Sequence, residues 1–536
     1  MEMKARIENG VVYSPYPDVS VPDISLYACI KRYIQKHGDN VAAIEGDRQW
    51  TFNDILRCIE RYAAGYQSIG IAKGDRVCVY LVNSFESLLA VYGIIAAGGV
   101  LITAKPSLTH RELLYQLSDS DSTYILTDKE NAGKVTEAKD QHKLKALLCM
   151  DALPGFKWVQ QFKDLPESSF KDVPIENPKE ELVGIVYTSG TSGLPKGVLI
   201  THYGWVTCIV ETIYSYPFTE EKTMISWSPI SHASGILSNL VCFTCGVTCV
   251  MVDTAITVGQ FVETVNKHKV ESAYFFPTRL QAFVNVMEAA GYKTPSIKSI
   301  IVGGSVISPS VAQKVLKVFN LECFKNLYGL TEACGLICAT PAHTICYENV
   351  GFPASMVQVK IVDVVTKKTL GPGKKGELVA KMPNIMKGYY KKPEATAEVL
   401  VDDGWLRTGD YAYYDENGRF CIVDRLKEMI KCLDQQVCPA EIEELLLSHP
   451  AVDQATVVGI PNPQYGEAPT AFVVLKPSVQ GTKELKGQLN ELINRETAIH
   501  KHLYGGINFV DRLPMTESGK VRRSILCHLH SKKSTE

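Results

Sequence analysis

Tyr187-Thr188-Ser189-Gly190-Thr191-Ser192-Gly193-Leu194-Pro195-Lys196-Gly197 lies between two apolar runs of strand length, Leu182 to Val186 and Val198 to Ile200. A hydroxyl- and glycine-rich loop between two strands suits phosphate. Gly190 and Gly193 can take positive φ angles and turn backbone N–H groups toward an anion. Thr188, Ser189, Thr191 and Ser192 add hydroxyl donors, and Lys196 adds charge. The P-loop pattern Gly-x-x-x-x-Gly-Lys-Ser/Thr is not met, because Lys196 follows Pro195 and precedes Gly197. This argues against an ordinary NTPase or kinase. The bland alternative is a flexible Ser/Gly surface loop, and eleven ordered residues between two strands weigh against it.

The surrounding chain is of ordinary globular composition. Its 536 residues are 46% hydrophobic and 21% charged, enough for a large core and at least two domains. The formal net charge of -2 gives no electrostatic case for nucleic acid or an anionic membrane, so phosphate binding has to be local. Sixteen cysteines scattered singly, as at Cys78, Cys149 and Cys421, suit reduced thiols; Cys242, Cys245 and Cys249 lack a partner pair at zinc-site spacing. The first twenty residues lack the apolar core of a signal peptide, and the last six do not form the Ser-Lys-Leu peroxisomal address. A cytoplasmic location is expected. The uncharged stretch between Lys222 and Asp253 is broken by Pro229, His232, Gly235, Asn239 and Gly246, and reads as a buried helix leading into a core strand rather than a membrane span.

Strand-length apolar segments alternate with helical patterns through the first 350 or so residues. Arg76 to Leu81, a helix from Phe85 to Ala97, and Val100 to Thr103 begin the series, followed by Tyr124 to Leu126, Val183 to Tyr187, Glu271 to Phe276, Ser299 to Val302 and Cys323 to Tyr328. Such alternation predicts parallel β-α units, with ligands gathered beyond the C-terminal strand ends. From about Val357 the spacing shortens into strand-and-turn units (Val357 to Val362, Glu377 to Lys381, Phe420 to Val423), which predict a β subdomain. Residues 427–536 carry a capped helix at Pro439 to Ser448, strands at Gln454 to Val458 and Thr470 to Leu475, and a helix at Lys483 to Arg495, a compact α+β unit. The expected fold class is α/β: a large N-terminal domain (1–424) of doubly wound sheets with a β subdomain, and a small mobile α+β C-terminal domain (427–536) beyond a hinge at 424–427.

Several further motifs stand in order. They are Ser228-Pro229-Ile230-Ser231-His232, Tyr328-Gly329-Leu330-Thr331-Glu332, Gly376-Glu377-Leu378, Met386-Lys387-Gly388-Tyr389, Pro393-Glu394-Ala395-Thr396, Gly404 to Asp410, Asp424-Arg425-Leu426-Lys427, Gln436 to Glu441 and Ser518-Gly519-Lys520. With the loop, they make the chain resemble, nearly end to end, the adenylate-forming superfamily of acyl-CoA ligases, 4-coumarate:CoA ligases, beetle luciferases and peptide-synthetase adenylation domains. The resemblance implies that a carboxylate attacks the α-phosphate of ATP, expelling pyrophosphate and leaving an acyl-AMP. Two anions must meet, so charge neutralisation and positioning carry the catalysis.

By that resemblance Thr188 to Thr191 hold the β- and γ-phosphates, Ser192, Gly193 and Lys196 belong to the same ATP site, Glu332 binds Mg²⁺ and Thr331 meets the α-phosphate. Asp410 accepts the ribose hydroxyls, Arg425 supports the ribose, the backbone at Gly304, Ser305, Tyr328 and Gly329 encloses adenine, and Leu330 belongs to the nucleotide site. His232, Ala233, Ser234, Gly303 and Gly304 form the acyl pocket. Between Lys222 and Asp253 no acidic side chain is available for an α-ammonium group, which favours a simple carboxylic acid over an amino acid. Lys520, carried by the C-terminal domain, bridges the substrate carboxylate and the α-phosphate when that domain closes. In acyl-CoA ligases the domain then turns about a hinge, here Lys427, and presents a second face bearing Lys431 and Gln436 to coenzyme A.

Here the chain departs from the family. Where relatives commonly read Lys-Gly just before an aromatic and Gln-Val, it has Leu433-Asp434-Gln435, and Asp253 stands near a strand end where several relatives place a basic CoA contact. An acidic side chain repels a polyanion and fills space that glycine leaves open. The implied activity is therefore ATP- and Mg²⁺-dependent activation of an aryl or short- to medium-chain acid, followed by transfer to CoA. The alternatives are transfer to another acceptor, such as a carrier protein or oxygen in luciferase fashion, and a binding protein that holds an adenylate without turnover. A monomer or homodimer is expected.

Overall fold

A computed structural model describes residues 3–139, 141–188, 194–215, 222–433, 435–516 and 520–527, with only the backbone of Asp402 and Gln436. Its architecture is α/β, with a large N-terminal body of sheets and a smaller C-terminal unit.

Two mainly parallel sheets make up the body. In the first, strands 157–158, 146–149, 124–127, 76–80, 100–103 and 182–188 run parallel, and the antiparallel strand 196–201 completes the loop-bearing edge with 388–389 beyond it. In the second, strands 41–45, 248–251, 223–226, 272–275, 299–303 and 323–330 run parallel between antiparallel flanks at 48–51 and 335–339. Strands buried on both faces read as continuous apolar runs, and Val100–Thr103 and Ser299–Gly303 are buried along their whole length. The apolar helix Phe85–Ala96 is likewise buried on every side. The uncharged stretch forms the buried helix Ala233–Cys245 and the strand Thr248–Met251.

A third sheet is antiparallel and forms the β subdomain: strands 358–362, 376–381, 405–414 and 420–425 pair in turn. The N-terminal hairpin 6–13 joins its edge through strand Val11–Tyr13, which pairs with Gln358 to Lys360, a partnership the sequence did not announce. The fourth sheet, of strands 430–432, 435–437, 452–462, 466–475 and 507–509, lies in the C-terminal unit. That unit has its own core of Ile430, Val437, Ile442, Leu446, Val457, Val473, Leu489 and Ile493. Strands 452–462 and 466–475 are longer than periodicity suggests, because they form one continuous hairpin, 452–475.

Polar contacts seat the C-terminal unit on the body. Gln281 Nε2 donates to Asp453 O at 2.6 Å, Asn285 Nδ2 donates to Asp453 Oδ1 at 2.8 Å, and the Ser310 N–H donates to Glu444 Oε1 at 3.1 Å. The helices Pro277–Ala290 and Pro309–Val318 thus supply the docking face.

Candidate active site

The C-terminal ends of the parallel strands converge where the two units meet. Strand Leu182–Thr188 delivers Thr188 opposite Lys196 in an antiparallel register, so the hydroxyl-rich loop spans a hairpin. Its Ser189, Gly190, Thr191, Ser192 and Gly193 lie outside the described residues. Lys196 Nζ sits 5.0 Å above the Tyr389 ring, and the Tyr389 hydroxyl donates to Glu332 Oε1 at 2.9 Å. The segment around Gly388 is held by pairing with Val198 and Leu199, and the Met386 N–H donates to Glu332 O. One edge strand therefore ties the loop's basic end to the acidic residue.

Glu332 follows the strand Cys323–Leu330, at whose end the chain makes a close internal approach. A β-carbon on Gly329 would stand 2.1 Å from Gly335 O, so only glycine fits. Tyr389 occupies Glu332 Oε1, and no described residue bonds Oε2. Among the described residues no group of three acidic, histidine or cysteine side chains is placed to hold a metal. One open carboxylate oxygen fits a Mg²⁺ that arrives with phosphate ligands of its own, rather than an ion caged by protein.

Asp410 is buried and engaged twice: the Tyr328 hydroxyl donates to Oδ2 at 2.6 Å, and Arg425 Nε pairs with Oδ1 at 2.8 Å. Burial pushes the Asp410 carboxyl up, with Arg425, Tyr328 and Lys520 pulling against it. Burial also opposes the Arg425 charge, but Asp410 and its neighbours outweigh it and the guanidinium is held more firmly protonated than usual. Antiparallel register sets the pair, Asp410 lying opposite Arg425. Tyr328, whose backbone alone was expected to matter, contributes its side chain.

Lys520 reaches this cluster from the C-terminal unit. The residue as a whole is exposed, yet its Cε lies 3.8 Å from where a β-carbon on Gly304 would stand. Burial of the ammonium lowers its pKa, Arg425 and Lys105 lower it further, and Asp410 opposes them. Arg523, in the turn that follows, anchors the segment: its guanidinium pairs with Glu428, with Glu443 at 2.8 Å and with Asp424 at 3.8 Å. Burial pushes Asp424 up to about 6 despite Arg523. Ser518 and Gly519, like Asp434, lie outside the described residues.

His232 caps the helix Ala233–Cys245. The Ser234 N–H donates to its Nδ1 at 3.2 Å and the Ser234 hydroxyl lies 2.8 Å from the same atom. With Nδ1 accepting, the neutral ring carries its proton on Nε2 and remains a donor there. Burial lowers the His232 pKa to about 4, with Lys105 and Lys520 adding to the effect. The preceding turn is fixed by Asn83, whose Oδ1 accepts from Ile230 N–H and whose Nδ2 donates to Ser228 O. Gly235 is obligatory, since a β-carbon would stand 2.1 Å from Pro229 O.

The fold thus gathers Lys520, Gly304, Asp410, Arg425, Tyr328 and His232 around one cleft. Lys427 adjoins it, its pKa lowered by burial and then by Arg425. Ser305 and Gly329 are exposed, Gly303 and Ala233 are buried, and Thr331 and Leu330 lie between. Lys431 belongs to another face: its side chain is exposed on a short strand, opposite the backbone of Gln436. Sequence reasoning missed Asn83, Lys105, Tyr274 and Phe276, which come from distant strand ends and carry no local motif.

Comparison with known proteins agrees with this geometry. The AMP-binding enzyme family pattern matches residues 30–390, and that of the AMP-binding enzyme C-terminal domain matches residues 441–520. The chain belongs to the AMP-binding enzymes. Among its relatives in this adenylate-forming superfamily is a luciferin 4-monooxygenase of Luciola mingrelica, 31% identical over 98% of this chain and 98% of the relative. A 4-coumarate–CoA ligase of Petroselinum crispum is 29% identical over 97% and 96%. Among AMP-binding enzymes of known structure, an anthranilate CoA ligase in complex with anthranoyl-AMP superposes with a TM-score of 0.88 at 20% identity, covering 97% of this chain and 99% of that one. All sixteen cysteines are free, and no described helix is long and apolar enough to cross a membrane.

Proposed function

We propose that this chain activates a carboxylic acid with ATP. The acid's oxygen attacks the α-phosphorus, the bond to the β-phosphate oxygen breaks, pyrophosphate leaves and an acyl-AMP remains. The observation that carries this reading is Lys520, delivered by the C-terminal unit against Gly304 and within electrostatic reach of Asp410, Arg425 and His232. In this role its ammonium offsets the charge of the two reacting anions, and it does so only in this orientation of the units. Asp410 takes the ribose hydroxyls on lone pairs left free by Tyr328 and Arg425, and Glu332 would hold a Mg²⁺, which when bound would supply positive charge to the departing phosphates. His232 stays neutral and lends an Nε2–H donor to the acyl pocket, while Gly303, Gly304, Ala233 and Ser234 leave room for the tail.

In the second step the C-terminal domain turns about Lys427, withdraws Lys520 and brings Lys431 and Gln436 over the acyl-AMP, where a CoA thiolate displaces AMP. A second acceptor is favoured by one observation: Leu433, at the turn of the hairpin that carries Lys431 and Gln436, is exposed and sits at φ 51, where relatives commonly have lysine followed by glycine. An apolar side chain there offers no charge to CoA phosphates. Acid-dependent pyrophosphate exchange over aryl, short, medium and long acids tests adenylation, and lack of exchange with all of them refutes it. Repeating the reaction with CoA and looking for a thioester separates ligase from adenylator.

A further inference from the structure

Two aromatic side chains stand where an acyl tail would have to pass. The Tyr274 hydroxyl lies so close to Gly303 that a β-carbon there would meet it at 3.1 Å, and one on Gly304 would meet the Phe276 ring at 2.6 Å. The two rings pack edge to face at 5.6 Å. The same Gly304 β-carbon would stand 3.8 Å from Lys520 Cε, so Phe276 borders the reacting cleft. Tyr274 is held from behind, its carbonyl accepting from Trp227 Nε1 at 2.7 Å while Trp227 packs against Phe261, Phe275 and Phe283. These contacts fix the strand that carries Tyr274.

Beyond Tyr274, toward the helix Ala233–Cys245, lies a pocket of only about 10 Å³ lined by Ser226, Ser228, Ser238, Asn239 and Tyr274 among others. That is room for about one water and no acyl chain. Its wall is mainly apolar, with Met224, Ile225, Cys242 and Cys249, and its polar groups are bonded to one another: the Ser226 hydroxyl donates to Asn239 Oδ1 at 2.8 Å, and Asn239 Nδ2 donates to Gly235 O at 2.7 Å. The Tyr274 hydroxyl has no hydrogen-bond partner among the described residues. Burial alone raises its pKa, so it stays a neutral donor.

We propose that Tyr274, buttressed by Phe276, is the floor of the acyl pocket and selects a compact acid, of one ring or a short chain, bearing a hydrogen-bonding group at the end remote from its carboxylate. The inference rests on the adenylation reading above. A site that hydrogen-bonds a substituent rejects the analogue lacking it, because its own polar group is then left unpaired.

Pyrophosphate exchange is measured with butanoate, hexanoate, octanoate and dodecanoate, and with benzoate against 4-hydroxybenzoate and phenylacetate against 4-hydroxyphenylacetate. Wild-type protein is compared with Tyr274→Phe and Tyr274→Ala, each checked for stabilisation by ATP in thermal unfolding. The wild type is expected to favour the hydroxylated member of at least one pair by about tenfold in kcat/KM and to discriminate against dodecanoate. Tyr274→Phe should erase the hydroxyl preference while keeping the length limit, and Tyr274→Ala should admit the longer acids. Exchange with equal preference in wild type and Tyr274→Phe, or wild-type exchange as fast with dodecanoate as with hexanoate, overturns the proposal alone. No exchange with any acid in an ATP-stabilised wild type overturns the adenylation reading and this inference with it.

Discussion

Replacing Asp410 by Asn removes one charge and almost no volume, and the structure assigns two separate consequences. Losing one partner of a buried ion pair costs about 3–5 kcal/mol, because the other charge is left uncompensated. Here the Asp410 side chain is 4% exposed but that of Arg425 is 36% exposed, so solvent takes up part of the loss and about 1–3 kcal/mol is expected. The Tyr328 hydroxyl can still donate to the amide oxygen, which keeps the strand pairing in place. The second consequence concerns Lys520, whose ammonium Asp410 favours and Arg425 and Lys105 disfavour. Without Asp410 the lysine loses its proton at lower pH, and the alkaline limb of acid-dependent pyrophosphate exchange moves acidward. Urea unfolding of wild type and variant gives the first quantity, and a pH profile of exchange at saturating ATP gives the second. An unchanged unfolding midpoint together with a limb that stays in place or moves to higher pH would refute the electrostatic coupling of these three residues.

Lys520→Ala is expected to lower exchange by about 10²–10³-fold, the cost of losing one group aimed at developing charge, while ATP still stabilises the protein in thermal unfolding; loss within tenfold contradicts its role. Burial lowers both His232 and His202 to about 4, the latter accepting from the Leu26 N–H. Because the unfolded chain takes up these protons first, the contribution is intact above about pH 6.5 and is lost as pH falls toward about 4, by roughly 2–3 kcal/mol per histidine. His202→Gln should flatten the loss of stability between neutral pH and pH 4.5 in urea titrations, and parallel curves would contradict it. Chelation of Mg²⁺ should abolish exchange without shifting the unfolding midpoint of the nucleotide-free protein, since Glu332 offers a single open oxygen; a fall in that midpoint would indicate a resident structural ion.

Elements whose signal is local were legible in the sequence. The buried parallel strands, the helix Ala233–Cys245 and the C-terminal helices announce themselves through composition and periodicity. Asp410 and Arg425 were named by motif, but the bond from Tyr328 to Asp410 was not, because it joins strands of two different sheets. Lys105, Asn83, Tyr274 and Phe276 become neighbours of the cleft only when separate strand ends converge. The three-residue strands of the N-terminal hairpin are too short for a periodic signal, and their partner is remote. The docking of Gln281 and Asn285 on Asp453 depends on how two folded bodies meet, which no local pattern encodes.

That hairpin has a consequence for biogenesis. Val11 to Tyr13 emerge from the ribosome early, while their mates from Gln358 to Lys360 follow only after the parallel strands of both sheets have been synthesised. Closing so long a span carries an entropy cost that grows slowly with length but slows the search for the right pairing. Until then an unsatisfied edge strand is available to other nascent chains, and its shortness limits that hazard. The platform that carries Asp410 and leads into Arg425 is therefore among the last parts of the body to be completed, so nucleotide capture should mark the end of maturation of this polypeptide rather than an early stage.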